Sequence, residues 1–149
     1  MVHSNSLWLD SDVILDWLTK RQPWVAGITE LVRRSVTGDW CLWVSPLILA
    51  NVHYLYRKQE GSVKALEAIR QLTMIAEVAP LNSTHVQQAL AAKNRDFEDA
   101  LQIACASQVP GLSAIITRNL RDYQHASVPT MTADAWLEQH PADQGTPWI

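Results

Sequence analysis

Short apolar runs alternate along this chain with stretches in which apolar residues recur every three to four positions. The first run, "SLWL" at 6–9, passes directly into residues 11–19, where Val13, Ile14, Trp17 and Leu18 share one helical face. Beyond "RQPW", the spacing of Val25, Ile28, Leu31 and Val32 predicts a helix over 24–36 that ends near Gly38. "WCLWVS" predicts a second strand. Ser45-Pro46 then pairs a capping hydroxyl with a proline at the first helical position, opening the helix "PLILANVHYLYRK", whose cationic end suits its dipole. Gly61-Ser62 restarts the chain into an amphipathic helix, "VKALEAIRQLTMI", and "AEVAPL" predicts a third strand. Ser83 introduces a helix through about Ala92. The remainder repeats the theme: an acid-opened helix "DFEDALQIACASQV", a buried strand "LSAIIT", a short strand "VPTMT" and a helix "ADAWLEQ".

Short strands alternating with helices predict an α/β fold, a parallel sheet with helices on both faces. In such folds the ligand crevice lies beyond the carboxyl ends of the strands. Asp10 follows the first strand, Ser45 the second, and Thr117, Arg118 and Asn119 follow "LSAIIT", so all are expected at one end of the sheet.

Composition narrows the classes. At 149 residues, 48% hydrophobic and 18% charged, the chain predicts one globular domain over 1–140 with a short C-terminal tail at 141–149. No run reaches the length of a membrane span, and the N-terminus lacks a cationic lead into an apolar core, so a cytoplasmic protein away from membranes is expected. Cys41 and Cys105 stand apart within apolar patterns and read as buried thiols, not as a zinc or redox pair. A net charge of −3 gives no bulk attraction for nucleic acid, so any such binding must rely on a local patch. Of the seven tryptophans, Trp8, Trp40 and Trp43 fall in strand-like runs where core or interface packing accounts for them better than base stacking.

The acids form the candidate chemistry. Asp10 and Asp12 follow the first strand, Asp96 and Asp99 share one face near a helix start with Glu98 directed elsewhere, and Asn119 and Asp122 lie in "TRNLRDY". Any one of them alone is structural, as a helix cap or loop residue, more often than catalytic. Brought together they repel unless protons or a cation neutralise them, and oxygen-only donors favour Mg²⁺ or Mn²⁺ over zinc.

"LWLDSDVILDWL", "VSPLILANVHYLYRK", "DFEDALQIACA" and "IITRNLRDY" resemble, in order and spacing, the successive motifs of the PIN-domain family, over nearly the whole chain. The similarity is greatest to bacterial VapC-like members, metal-dependent ribonucleases that are often toxins neutralised by an antitoxin. It implies a three-layer α/β/α fold with a short, mostly parallel sheet, and a metal-dependent endoribonuclease of a toxin-antitoxin pair. Asp10, Asp99 and Asp122 would be the catalytic metal-binding acids for Mg²⁺ or Mn²⁺. Asp12, Asn51, Asp96, Thr117 and Asn119 would support them, and Lys93, Arg95, Arg118 and Arg121 are candidates to position RNA phosphates. The resemblance also implies a small antitoxin partner and a possible homodimer, with "ILANVHYLY" and "WLTKRQPW" as candidate contact surfaces. The sequence departs from the family at Asn51, where many members carry glutamate, and at "DSD" where "D-x-N" is common; Asp12 can partly restore the charge that Asn51 removes.

Two rival readings remain. "DSD" after a strand also resembles the opening of haloacid-dehalogenase-like phosphatases, with an aspartate nucleophile, although Val13 and Ile14 follow where that family has threonine. Asn51 favours a catalytically weak PIN-like adaptor that binds RNA or protein. His53 reads as a packing residue, and His85 and His125 receive no role.

Overall fold

The structure, a computed structural model, describes residues 5–93 and 96–143. Its elements follow the sequence pattern: β1 (Ser6–Leu9), α1 (Ser11–Leu18), α2 (Val25–Val36), β2 (Cys41–Val44), α3 (Pro46–Glu60), α4 (Ser62–Ile75) and β3 (Ala76–Val78). Then come α5 (Ser83–Ala91), α6 (Phe97–Ser107), β4 (Leu112–Ile116), a 3-10 turn (Leu120–Tyr123), β5 (Thr130–Met131) and α7 (Ala133–Gln139). The five strands form one sheet in the order β3-β2-β1-β4-β5, and every pairing is parallel, so the expected mostly parallel sheet is wholly parallel among the described residues. Helices cover it in a three-layer α/β/α arrangement.

Burial explains the strand order. Leu7, Trp8 and Leu9 of β1 and Ala114, Ile115 and Ile116 of β4 are all buried, as central strands covered on both faces require. The edge strand β3 leaves Glu77 and Val78 exposed. It also ends earlier than "AEVAPL" suggested: Ala79 N still bonds Val44 O at 2.8 Å, but Pro80 has no N–H to continue the ladder.

Capping fixes where the helices begin. Ser45 Oγ accepts from Ile48 N at 3.0 Å and donates to Gln102 Oε1 of α6 at 2.8 Å, with Ser45 and Gln102 both buried. That bond ties the start of α3 to the middle of α6 at the carboxyl end of β2. Asn82, not Ser83, caps α5, and His85 closes the box by accepting from Asn82 N at 3.0 Å, which gives this buried histidine a structural role. Trp40, just before β2, donates its indole N–H to Leu31 O at 2.9 Å and meets Trp136 edge-on, so it ties the start of β2 to α2 and α7. Trp8, Trp40 and Trp136 are buried in the core, whereas Trp43 is only half-buried. The thiols separate likewise: Cys105 is buried and Cys41 is half-buried. No helix among the described residues is long and apolar enough to cross a membrane.

Candidate active site

The strand order reverses between β1 and β4, because the chain builds outward from β1 through β2 and β3 before returning to its other side. The residues that leave these two neighbouring strands therefore face each other across a crevice. Asp10 N donates to Ile116 O at 3.0 Å, which registers the end of β1 on the end of β4. Asp10 is then the cap of α1, its Oδ1 accepting from Ser11 N at 2.8 Å.

Thr117 is the hub across the crevice and is fully buried. Its hydroxyl donates to Asp10 Oδ2 at 2.9 Å; the two oxygens of Asp12 lie at 3.2 and 3.4 Å, and its single proton cannot serve all three. The same oxygen accepts from Asn119 N at 2.9 Å. Asp12 Oδ2 accepts from Arg118 N at 2.9 Å and its Oδ1 from Val13 N at 2.7 Å, so Asp12 staples the segment after β4 to the start of α1. Asn119 donates its side-chain amide to Asp122 Oδ2.

From the other side, α6 delivers Asp99. Asp96 lies just outside the helix as its cap, accepting from Asp99 N at 3.0 Å, so the expectation of two carboxylates on one helical face is corrected: Asp96 is spent on the cap. Glu98 does not point away from the other elements but accepts from Asn51 Nδ2 of α3 at 2.8 Å. Asn51 therefore brings α3 into contact with a carboxylate from α6.

The electrostatics record the crowding. Burial, then repulsion from Asp122, Asp96, Asp10 and Glu98, pushes the Asp99 carboxyl up to about 6. Burial and Asp12 raise Asp10, against the pull of hydrogen bonds from Thr117, Ser11 N and Tyr123. Burial raises Asp12 against the Arg118 and Val13 amides. The Tyr123 phenol, buried and donating to Asp10, is pushed up strongly by burial and by the surrounding acids. Tyr123 is a site residue that sequence reasoning did not assign, although it directly follows Asp122 in "RDY".

The phosphate candidates separate. Lys93 and Arg121 line an open cleft with Asp96, Asp99, Asp122, Gln124 and His125, so two cations border the acids. Arg118 does not join them: its guanidinium forks onto buried Asp16 of α1, Nε to Oδ2 at 2.6 Å and Nη2 to Oδ1 at 3.1 Å, and lies 3.9 Å over the Trp24 ring. The expectation that Arg118 offers charge to phosphate is corrected on that ground. Arg95 lies outside the described residues. Of the candidate contact surfaces, Tyr54 and Leu55 of α3 and Trp24 expose large apolar area, while His53 is half-buried.

The donors are carboxylate and amide oxygens, which suit a hard divalent cation, and the repulsion on Asp99 is of the kind such a cation relieves. As oriented, no three His, Cys, Asp or Glu side chains among the described residues converge into a ready ligand set. Both Asp10 oxygens and one of Asp122 are engaged by protein donors. The residues fit in donor chemistry, and a cation would have to exchange some of these bonds.

Comparison with known proteins gives a consistent placement. The family described as PIN domain matches residues 6–121. The chain is 24% identical over 143 residues to Ribonuclease VapC1 of Aquifex aeolicus (strain VF5), covering 93% of this chain and 97% of that relative. Among solved structures it resembles the DNA-bound VapBC of Salmonella typhimurium, with a TM-score of 0.62 at 18% identity, covering 88% of this chain and 97% of that one. It also resembles VapC20 of Mycobacterium tuberculosis, a sarcin-ricin loop cleaving toxin, with a TM-score of 0.57 at 14% identity, covering 73% and 86%.

Proposed function

We propose that this chain, which belongs to the PIN domain family, is a metal-dependent endoribonuclease and the toxin of a toxin-antitoxin pair. The observation that carries the reading is the crowding of Asp99 by Asp122, Asp96, Asp10 and Glu98 at the carboxyl edge of the sheet. A set of mutually repelling carboxylates has no use in binding a polyanion unless a cation joins it. The similarity to Ribonuclease VapC1 supports the substrate class, and the VapBC and VapC20 neighbours support the toxin setting and an antitoxin partner.

In this reading Asp10, Asp99 and Asp122 hold Mg²⁺ or Mn²⁺, with Asp12, Asn51, Asp96 and Asn119 near them. When bound, the cation would neutralise the carboxylates and polarise the scissile phosphate and the attacking water. Thr117 fixes the direction of Asp10 through its hydroxyl, and Asn119 that of Asp122 through its side-chain amide. A carboxylate of this set would take the proton from the attacking water. Hydrolysis in line leaves 5′-phosphate and 3′-hydroxyl ends. Lys93 and Arg121 align neighbouring phosphates, which makes binding salt-dependent. Tyr54 and Leu55 give an antitoxin or a second copy of the chain an apolar contact. A phosphatase-like covalent role for Asp10 loses its support, since both oxygens are held and the family match lies elsewhere.

The adaptor reading is favoured by one observation, the lack of three convergent ligands among the described residues. The test that separates the two uses end-labelled structured RNAs with Mg²⁺ or Mn²⁺, beside EDTA and the Asp10→Asn and Asp99→Asn variants. Cutting that needs the metal and is lost in both folded variants supports the nuclease. An inactive wild type with no Mn²⁺ binding by calorimetry establishes the adaptor instead.

A further inference from the structure

Asp16 has no accessible side-chain surface, yet it lies on the amphipathic helix that starts at the candidate active site. Two cations meet it. Arg118 forms the fork described above, and Arg21 Nη1 lies 3.7 Å from Oδ1. Trp24 stacks on the guanidinium, and the space left beside it, lined by Val13, Asp16, Trp24, Ile28 and Arg118 among others, is about 20 Å³. That is room for about one water on this side of the guanidinium, which Asp16 and Trp24 hold from two directions.

The main chain of the same residue is held one turn earlier on α1. Arg118 N bonds Asp12 Oδ2, and its two neighbours turn toward the acids: Thr117 to Asp10, Asn119 to Asp122. The chain bends at residue 118, and Asn119 N bonds back to Thr117 Oγ1 at 2.9 Å, closing that bend. Residues 117 and 119 are thus tied to each other around 118, and a displacement of residue 118 moves both. A planar guanidinium meeting a carboxylate through two parallel bonds fixes rotation as well as position, which an ammonium cannot do.

We propose that Asp16 is a positioning residue of this site: through Arg118 it sets the orientation of Thr117 and Asn119, and so of the Asp10 and Asp122 carboxylates. The role rests on the nuclease reading for its effect on turnover, but the geometric coupling can be measured without activity.

The test compares the full chain with Asp16→Asn and Arg118→Lys, which keep the size and polarity of the pair and so keep the fold. Glu30→Gln, which breaks the exposed pair with Arg33 on α2, serves as a control for loss of an ion pair away from the site. Steady-state RNA cleavage at 20 °C should show kcat lowered about 10- to 100-fold in both site variants. KM should stay within roughly threefold, and the control should be unchanged. Hydrogen exchange followed by NMR should show the Arg118 and Asn119 amides exchanging faster in both variants while the α4 amides keep the wild-type rate. A merely structural role would lower the melting temperature and leave kcat and these two amides as in wild type; that result overturns the proposal. If wild type does not cleave RNA, the nuclease reading fails separately, and the exchange measurement still decides the coupling: faster exchange upholds it, unchanged exchange refutes it.

Discussion

Replacing Asp99 by asparagine should stabilise this protein at neutral pH. In the folded chain the carboxyl titrates at about 6, against 3.8 for an unperturbed aspartate, chiefly because of burial and then Asp122, Asp96, Asp10 and Glu98. The folded state thus holds a proton that the unfolded state has already released between about pH 4 and 6. Stability falls as pH rises through that window, and the full penalty is present above it. A difference of this size corresponds to ~3 kcal/mol for a group shielded from water. Asp99 borders an open cleft, where solvent screening reduces such effects, so about 1 kcal/mol is the expected scale. For a chain of this length that is a rise of about 3 °C in melting temperature. Among the described residues no hydrogen bond to the Asp99 carboxylate stands to be lost, and Asp96 caps its backbone N–H, not its carboxylate. Thermal denaturation by circular dichroism from pH 3.5 to 8 should show the variant above wild type at pH 7.5 and the two curves meeting below pH 4. Millimolar Mn²⁺ should raise wild type at pH 7.5 and the variant far less. A variant less stable than wild type at pH 7.5, or a gap that does not close in acid, would refute the account of the crowding.

Two further changes test the scaffold around the site. Thr117→Val keeps the shape of a buried side chain but orphans Asp10 Oδ2 and Asn119 N, so it should cost ~2 kcal/mol in urea denaturation, with Thr117→Ser close to wild type; equal midpoints for the two variants would contradict this. Arg34→Ala removes a nearly buried guanidinium that bonds Asp39 Oδ2 and the His140 carbonyl, each at 2.6 Å, and lies 4.4 Å over Trp40. It should lower stability by about 2 kcal/mol and speed amide exchange in α7, and unchanged exchange there would show that Arg34 does not anchor the helix.

The order of strands and helices was legible because each segment had its own period and its own stop signal. Ser45-Pro46 is a local instruction, and the start of α3 obeys it. The errors fall where a local signal met a tertiary one. "AEVAPL" has the composition of a longer strand, but at the sheet edge there is a partner on one side only and Pro80 cannot donate. Ser83 and Asn82 are both competent caps, and His85 selects Asn82 by reaching back to its amide.

The site divides along the same line. That Asp10, Thr117 and Asn119 share one edge was legible because parallel topology sends every strand's carboxyl end there, a rule that needs no knowledge of contacts. The partners of those residues were hidden because they are choices between distant segments: Asn51 with Glu98, and Asp16 with Arg118, 102 positions away. Asp16 nevertheless carried a signal that could have been read. It sits between Ile14 and Trp17 on a helix of only eight residues whose apolar side faces the core. An acid there must bring a cation with it, because an unpaired buried carboxylate costs more than the helix gains. Arg118 follows a strand predicted to lie in the core and to end at the same edge, so the pairing follows from burial and topology together. A lone acid on a buried face thus marks where a distant arginine must arrive, and here that arginine sits between two residues of the site.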